Sequence, residues 1–344
     1  AWGSAEEGVI STGEDAYGSH AWGNALNEGQ IKTGENAKGS EASGFASGPE
    51  SLISTGDGAE GSRAEGYAFN GGQIFTGQEA DGSEAAGFAS GEGSLILTGN
   101  FAEGSHAWGR AQGGGNISTG QDADGSEAAG FASDGGIIKT GDGAEASHAR
   151  GYAVGNNSSI KTGDEAEGSR AEGYAENGGQ ILTGLRADGS EAAGFASNNG
   201  IIKTGDEAEG SHAWGRAQEG GNISTGEDAD GSEAAGFASN NGIIKTGDRA
   251  EASYARGFAF GNGSRIETGI DAEGSRAEGY AENGGQILTG LRADGSEAAG
   301  YAKGNGSLIS TEQDAHGSHA WGSAEEGVIS TGEDAYGSHA WGNA

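Results

Sequence analysis

One tetrapeptide, Ile-x-Thr-Gly, governs this chain. It returns sixteen times and its Ile never fails: Ile10, Ile31, Ile53, Ile74, Ile96, Ile117, Ile138, Ile160, Ile181, Ile202, Ile223, Ile244, Ile266, Ile287, Ile309 and Ile329. Successive Thr residues, from Thr12 to Thr331, stand 21 or 22 apart, with one final interval of 20. The Gly fails once, at Glu312. A fixed period of this length is the signature of a stacked repeat, in which each unit contacts only its neighbours. The 344 residues therefore read as a single continuous array, 1–344, rather than as two globular domains.

With the Thr as position 0, the coil reads Ile(−2), Thr(0), Gly(+1), Ala(+4), Gly(+6), Ser(+7), Ala(+9), Gly(+11), Ala(+13). One full example is Ile74, Thr76, Gly77, Ala80, Gly82, Ser83, Ala85, Gly87, Ala89. Ala(+4) and Ser(+7) hold in all sixteen coils, and position +6 is Ala only at Ala146 and Ala252. From +7 to +13 small residues alternate with varied ones, which is the strand period. The Gly residues at +1 and +6 are expected to bracket a corner where the backbone needs positive φ. Length varies only in the remaining loop, where a turn tolerates it. The expected fold is all-β: a parallel β-solenoid of about sixteen coils with two or three short strands each. Gly density excludes helices. A bundle of polyproline-II-like helices would want Gly every third residue, which is absent.

The alternating set at +8, +10 and +12 contains Glu, Arg, His, Trp, Phe and Tyr, and charges cannot stack sixteen deep in a core. The small set therefore points inward. The interior is a thin Ala/Gly/Ser layer, with Ile as the one large residue per coil. Gly is 74 of 344 residues, Pro is one, and Cys and Met are absent, so no conventional aliphatic core and no disulfide framework is available. Such a composition in a non-repetitive chain would signal disorder. Sixteen Ile residues held in phase argue for order.

A second period overlies the first. The +8 to +10 triplets run His-Ala-Trp, Glu-Ala-Ala, His-Ala-Arg, Arg-Ala-Glu, Glu-Ala-Ala, and then restart. Complete five-coil units occupy 98–203 and 204–310, an incomplete one occupies 12–97, and residues 1–25 are identical to 320–344. The chain begins at Ala1 without Met and shows no signal peptide or cap, so the expectation is an array that continues past both ends.

The net charge of −34 sets two polyanions against each other if nucleic acid is the partner, and it disfavours an anionic membrane surface. No apolar run approaches the ~20 residues of a membrane span. Four motifs invite chemistry. The first is the acidic corner, with Glu14, Asp15, Asp164, Glu165, Asp206, Glu207, Glu227, Asp228 and Asp230 as Ca²⁺ candidates, because stacked carboxylates suit a hard cation. The competing reading is a solvated acidic edge, and Leu185-Arg186 and Leu291-Arg292 interrupt the row. The second is an outward aromatic stripe: Trp22, Phe45, Tyr67, Phe88, Trp108, Phe131, Tyr152, Tyr174, Phe195, Trp214, Phe237, Phe258, Tyr280, Tyr301, Trp321 and Trp341. Where Trp takes +10, position +12 becomes Asn, Arg or Ser, which reads as one aromatic exchanged for another on a shared surface. Such a stripe suits lateral packing against another chain, or stacking against a glycan or host surface. The third is His, at 20, 106, 148, 212, 316, 319 and 339, of which 316 and 319 are the close pair. Most recur several coils apart, too far to share a metal. The fourth is the Thr ladder, which would suit ice only if it were flat and exposed.

The run Gly-Ser-x-Ala-x-Gly-x-Ala, as in Gly61–Ala68, Gly82–Ala89 and Gly104–Ala111, resembles the head repeats of YadA-type trimeric autotransporter adhesins. The likeness covers about eight residues in every coil; this chain has one residue fewer after the Gly and a longer period. The resemblance implies a bacterial surface protein used in adhesion, and it carries over no site residues. Residues and resemblance together lead to the expectation of a non-enzymatic, extracellular or cell-surface fibre that associates with itself and needs no cofactor. The alternatives are a binding module using the aromatics or the Thr ladder, and a Ca²⁺-dependent array.

Overall fold

The computed structural model describes residues 1–91, 93–334 and 336–343. The chain is all-β, a parallel solenoid of about sixteen coils, and its contacts group into two units, Ala1–Gly173 and Tyr174–Ala344. Each interior coil carries two strands. The long one has seven residues and covers positions +8 to +14, as in Glu84–Ser90; the short one has three and covers −3 to −1, as in Leu95–Leu97. Long strands pair with long and short with short, always parallel and in strict phase: Ala107 faces Ala128 and Gly109 faces Gly130, while Ile96 faces Ile117. The first unit holds the coils of Thr12 to Thr162, the second those of Thr183 to Thr331.

The thin core is as the alternation requires. The Ile of every Ile-x-Thr motif from Ile31 to Ile309 is fully buried, and so are the Ala columns at +4, +9 and +13 wherever coils lie on both sides. Ile of the short strand packs onto Ala of the long one, so each coil buries one branched side chain against small partners. Ile10, in the first coil, is only half-buried.

The polar part of the interior is spent between coils. Ser83 Oγ accepts the N–H of Ser62 at 3.0 Å and donates to the carbonyl of Ala59 at 3.2 Å, both in the preceding coil. Thr55 Oγ1 accepts the N–H of Gly77 in the following coil at 3.2 Å. These bonds recur along both units and satisfy backbone groups that the two strands leave unpaired at the corners. The Thr ladder therefore does not offer the exposed, flat array that ice would need: Thr33 to Thr311 are buried, with their hydroxyls engaged or enclosed within the stack.

The two Gly columns do different things. Gly(+6) takes the left-handed conformation expected of a corner, as at Gly82 with φ 65°. Gly(+1) does not. At Gly205 a Cβ would lie 1.7 Å from the carbonyl oxygen of Gly184 in the preceding coil, so this Gly is required by close approach of backbones and not by positive φ. Gly(+11) needs both: Gly130 has φ 145°, and its Cβ would lie 1.8 Å from the oxygen of Gly109.

The variable length also has a structural rule. Every 22-residue interval ends with a Ser four residues before the Thr: Ser51, Ser94, Ser158, Ser264 and Ser307, each buried. Ser94 Oγ donates to the carbonyl of Ser90 at 2.7 Å and accepts the N–H of Gly71 at 3.2 Å, so the added residue is absorbed without an orphaned backbone group. The spacing of these five Ser residues was visible in the sequence; the bonds were not.

Candidate binding face

The outward side of the long strands presents four columns, at +8, +10, +12 and +14. Among the described residues its aromatic rings are all outward and none is buried. They lie close enough to touch along the stack. Phe131 and Tyr152 have centroids 6.4 Å apart, Tyr174 and Phe195 5.8 Å, and Tyr280 and Tyr301 stack at 5.1 Å. These distances fall in the range for favourable aromatic pairs.

The ring exchanged for the +12 aromatic is set on the same face in the neighbouring +10 column. Arg fills +12 beside Trp108 and Trp214, and Asn24 and Ser323 stand beside Trp22 and Trp321. Arg110 lies over the ring of Phe131 at 4.8 Å and Arg216 over Phe237 at 5.0 Å, so the π column continues through a guanidinium. The two columns thus remain separate. Within its own column Trp108 has Ala86 on one side and Ala129 on the other. Its indole N–H donates to the carboxylate of Glu84, and that of Trp214 donates to Glu191.

Small residues next to large ones open slots. One of about 600 Å³ is lined by Glu65, Tyr67, Ala86, Phe88 and Trp108. A second, about 580 Å³, has Trp108 and Arg150 as walls and Ala129 and Gly130 as floor. In the other unit a slot of about 560 Å³ runs past Arg256, Phe258, Glu278, Ala299 and Trp321. The charged side chains around these slots are paired: Arg150 with Glu127, Arg256 with Glu233, and Arg276 with Glu278 at 2.8 Å and Glu297 at 3.5 Å.

Charge is distributed unevenly. The long strands carry eight Lys or Arg and thirteen Glu, a net of −5 out of the chain's −34. Most of the acid lies on the corners and loops. There the carboxylates act as acceptors for the next coil's backbone: Asp57 takes the N–H of Gln78 at 2.9 Å, Asp81 that of Glu103 at 3.0 Å, and Asp230 that of Glu251 at 2.7 Å. Asp206 accepts from Lys203 Nζ at 2.7 Å and from the N–H of Glu227 at 2.9 Å. Burial pushes its pKa up, but the bonds from Lys203 and from the Glu227 N–H outweigh that, and the carboxyl ends below its ordinary value. Asp142 and Asp248 behave alike, with Lys139 and Lys245. Asp228 is lowered first by its bond to Arg249, which also reaches Glu227 at 3.3 Å.

The Ca²⁺ candidates are therefore not brought together as a ligand set. Glu14, Asp15, Asp164, Glu165 and Glu207 lie exposed on the corners, and Asp206, Glu227, Asp228 and Asp230 are engaged as described. Among the described residues no three His, Asp or Glu side chains are placed to hold a metal ion. The closest His rings found are His319 and His339, at 5.6 Å in successive coils, not the sequence neighbours His316 and His319; His316 instead lies beside Tyr336 at 5.5 Å. Among the described residues no helix is long and apolar enough to cross a membrane.

Fold and face together define a repetitive parallel β-solenoid of the kind that serves as a structural repeat protein. Comparison with protein families, with curated proteins and with solved structures gives no match.

Proposed function

We propose that this chain is a non-enzymatic structural protein, a segment of an extracellular or cell-surface filament built by parallel stacking of coils and associating with itself. One observation carries the reading. The interior Ser and Thr oxygens and the corner Asp carboxylates bond to the neighbouring coil, so polar groups inside and at the corners alike are directed to propagating the stack. Within each unit the coil interfaces repeat one pattern, and a longer array extends by repeating it. The acidic corners keep such bodies soluble and hold apart the surfaces that carry them. Under this reading nucleic acid is not a partner and no cofactor is needed.

Cryo-electron microscopy of dilute native material tests the proposal. Long filaments with a layer spacing of ~4.8 Å are the expected result. Discrete short rods with bare aromatic faces would overturn it. That outcome would favour a binding module, the reading to which the Trp-walled slots lend support, with a glycan or host surface as ligand.

A further inference from the structure

The four outward columns of the long strand match one another about the Gly(+11) column. Consider the inner pair, +10 and +12. Where +10 is Ala or Ser, +12 is an aromatic ring, as in Ala129 and Phe131. Where +10 is Glu, +12 is Tyr, as in Glu278 and Tyr280. Where +10 is Arg, +12 is Tyr or Phe, and where it is Trp, +12 is Arg, Asn or Ser. Small meets large, carboxylate meets hydroxyl, and cation meets ring. These two positions are neighbours on one strand, so packing within the chain is a sufficient reason for that match.

It is not a sufficient reason for the outer pair. Positions +8 and +14 lie six residues apart, ~20 Å along the strand, and cannot touch within a coil. They match all the same in most coils, the exceptions being His20 with Leu26, Arg63 with Phe69 and His148 with Val154. Arg276 goes with Glu282 and Glu297 with Lys303. Tyr254 goes with Phe260. Glu at +8 goes with Ser at +14 in five coils, as in Glu127 and Ser133, and His106 goes with Gln112. No coil sets like charges at these two positions.

A two-fold axis parallel to the stack and lying over the Gly(+11) column makes both matches at once. It places +8 of one copy opposite +14 of the other and +10 opposite +12, coil for coil. We infer that this face is where a second copy of the chain docks side by side, both stacks running the same way, about that axis. The Ala-floored slots receive the partner's Phe rings, and the Trp indoles meet Arg. Charge opposes such pairing little, because this face carries only −5 of the −34. Its extent is adequate: seven residues by eight coils is ~900 Å² per unit, against the ~800 Å² per partner of a stable interface. The inference stands whether or not the coils extend into a filament.

Sedimentation velocity on the whole chain, over a range of concentrations, tests it. The expected species has twice the 33.9 kDa chain mass. Arg276→Glu sets two acids against each other and is expected to weaken pairing at least ~10-fold. The charge swap Arg276→Glu with Glu282→Arg restores it. Mixing the Arg276→Glu chain with a Glu282→Arg chain also restores it, by forming a mixed pair. An unchanged far-ultraviolet dichroism spectrum shows that each variant keeps its strands. Rescue across that distance has no explanation within one chain. A 33.9 kDa species at every concentration would overturn the inference, as would a pair insensitive to Arg276→Glu or one that the swap fails to restore. A single chain that gains mass only with a neutral polysaccharide would also overturn it and assign the face to a ligand.

Discussion

The two sides of the same long strand obey different rules. Inward positions +9 and +13 are Ala in every coil described, and the neighbouring Ser, Thr and Ile columns are as uniform. Outward positions change from coil to coil, and their full order returns after five coils from Thr98 onward. Uniformity inside follows from contact between neighbours: each inward residue meets a copy of itself one coil away, so any departure disturbs two interfaces. Variation outside is tolerated by the fold, and its five-coil rhythm therefore records a demand from beyond the coil. Internal columns report on stacking, and external columns report on what the stack meets.

Substitutions can break that contrast. The largest effect is expected from Gly130→Ala. It adds a Cβ 1.8 Å from the Gly109 oxygen at a residue with φ 145°, and roughly 4 kcal/mol of destabilisation is expected from strain and overpacking together. Thermal unfolding with hydrogen exchange should show the loss centred on that coil and its neighbours. Ile117→Ala removes the one large core side chain of its coil and should cost about 3 kcal/mol. The outward control Phe131→Ala should cost well under half of that in the isolated chain. Equal losses for the two would refute the inward–outward distinction.

Acid sharpens the comparison in a different way. Asp142, Asp206 and Asp248 have carboxyls lowered in the folded chain. Their contribution is present above the unfolded value of about 4 and is lost as pH falls through the lower folded values. Unfolding followed from pH 6 down to pH 2 should show stability declining below roughly pH 4. Asp206→Asn should reduce that decline. The smallest effect runs the other way. Ala146 occupies the left-handed corner position with φ 52°, where every coil but that of Ala252 otherwise has Gly. Ala146→Gly should stabilise by about 1 kcal/mol, because the Cβ strain of the left-handed conformation is relieved.

The sequence carried the inward side almost completely. A single Ile per coil in strict phase, alternating with small residues, leaves one strand register and one buried face. It could not show why Gly occupies +1, because close approach between backbones has no local signature, and positive φ was the wrong reason. It did not show the geometry of the Trp exchange either. Trp108 and Arg110 lie two residues apart, and only the observed rings show that Arg continues the column that Trp leaves. The acidic corner left a cation ladder and a solvated edge both open, because the sequence shows carboxylates and does not show the N–H groups of the next coil that they satisfy.

The coil-to-coil bonds have a further consequence. Partners in these ladders lie about 21 residues apart in a chain of 344, a ratio near 0.06. All-β proteins ordinarily stand at about 0.16–0.22, and helical bundles at about 0.07–0.12. This chain has the backbone of the first class and the contact order of the second. A coil emerging from synthesis finds its template already built in the coil before it. The entropy of closing each loop is that of about 21 residues, however long the array becomes. Length here adds time to folding in proportion, without adding a search.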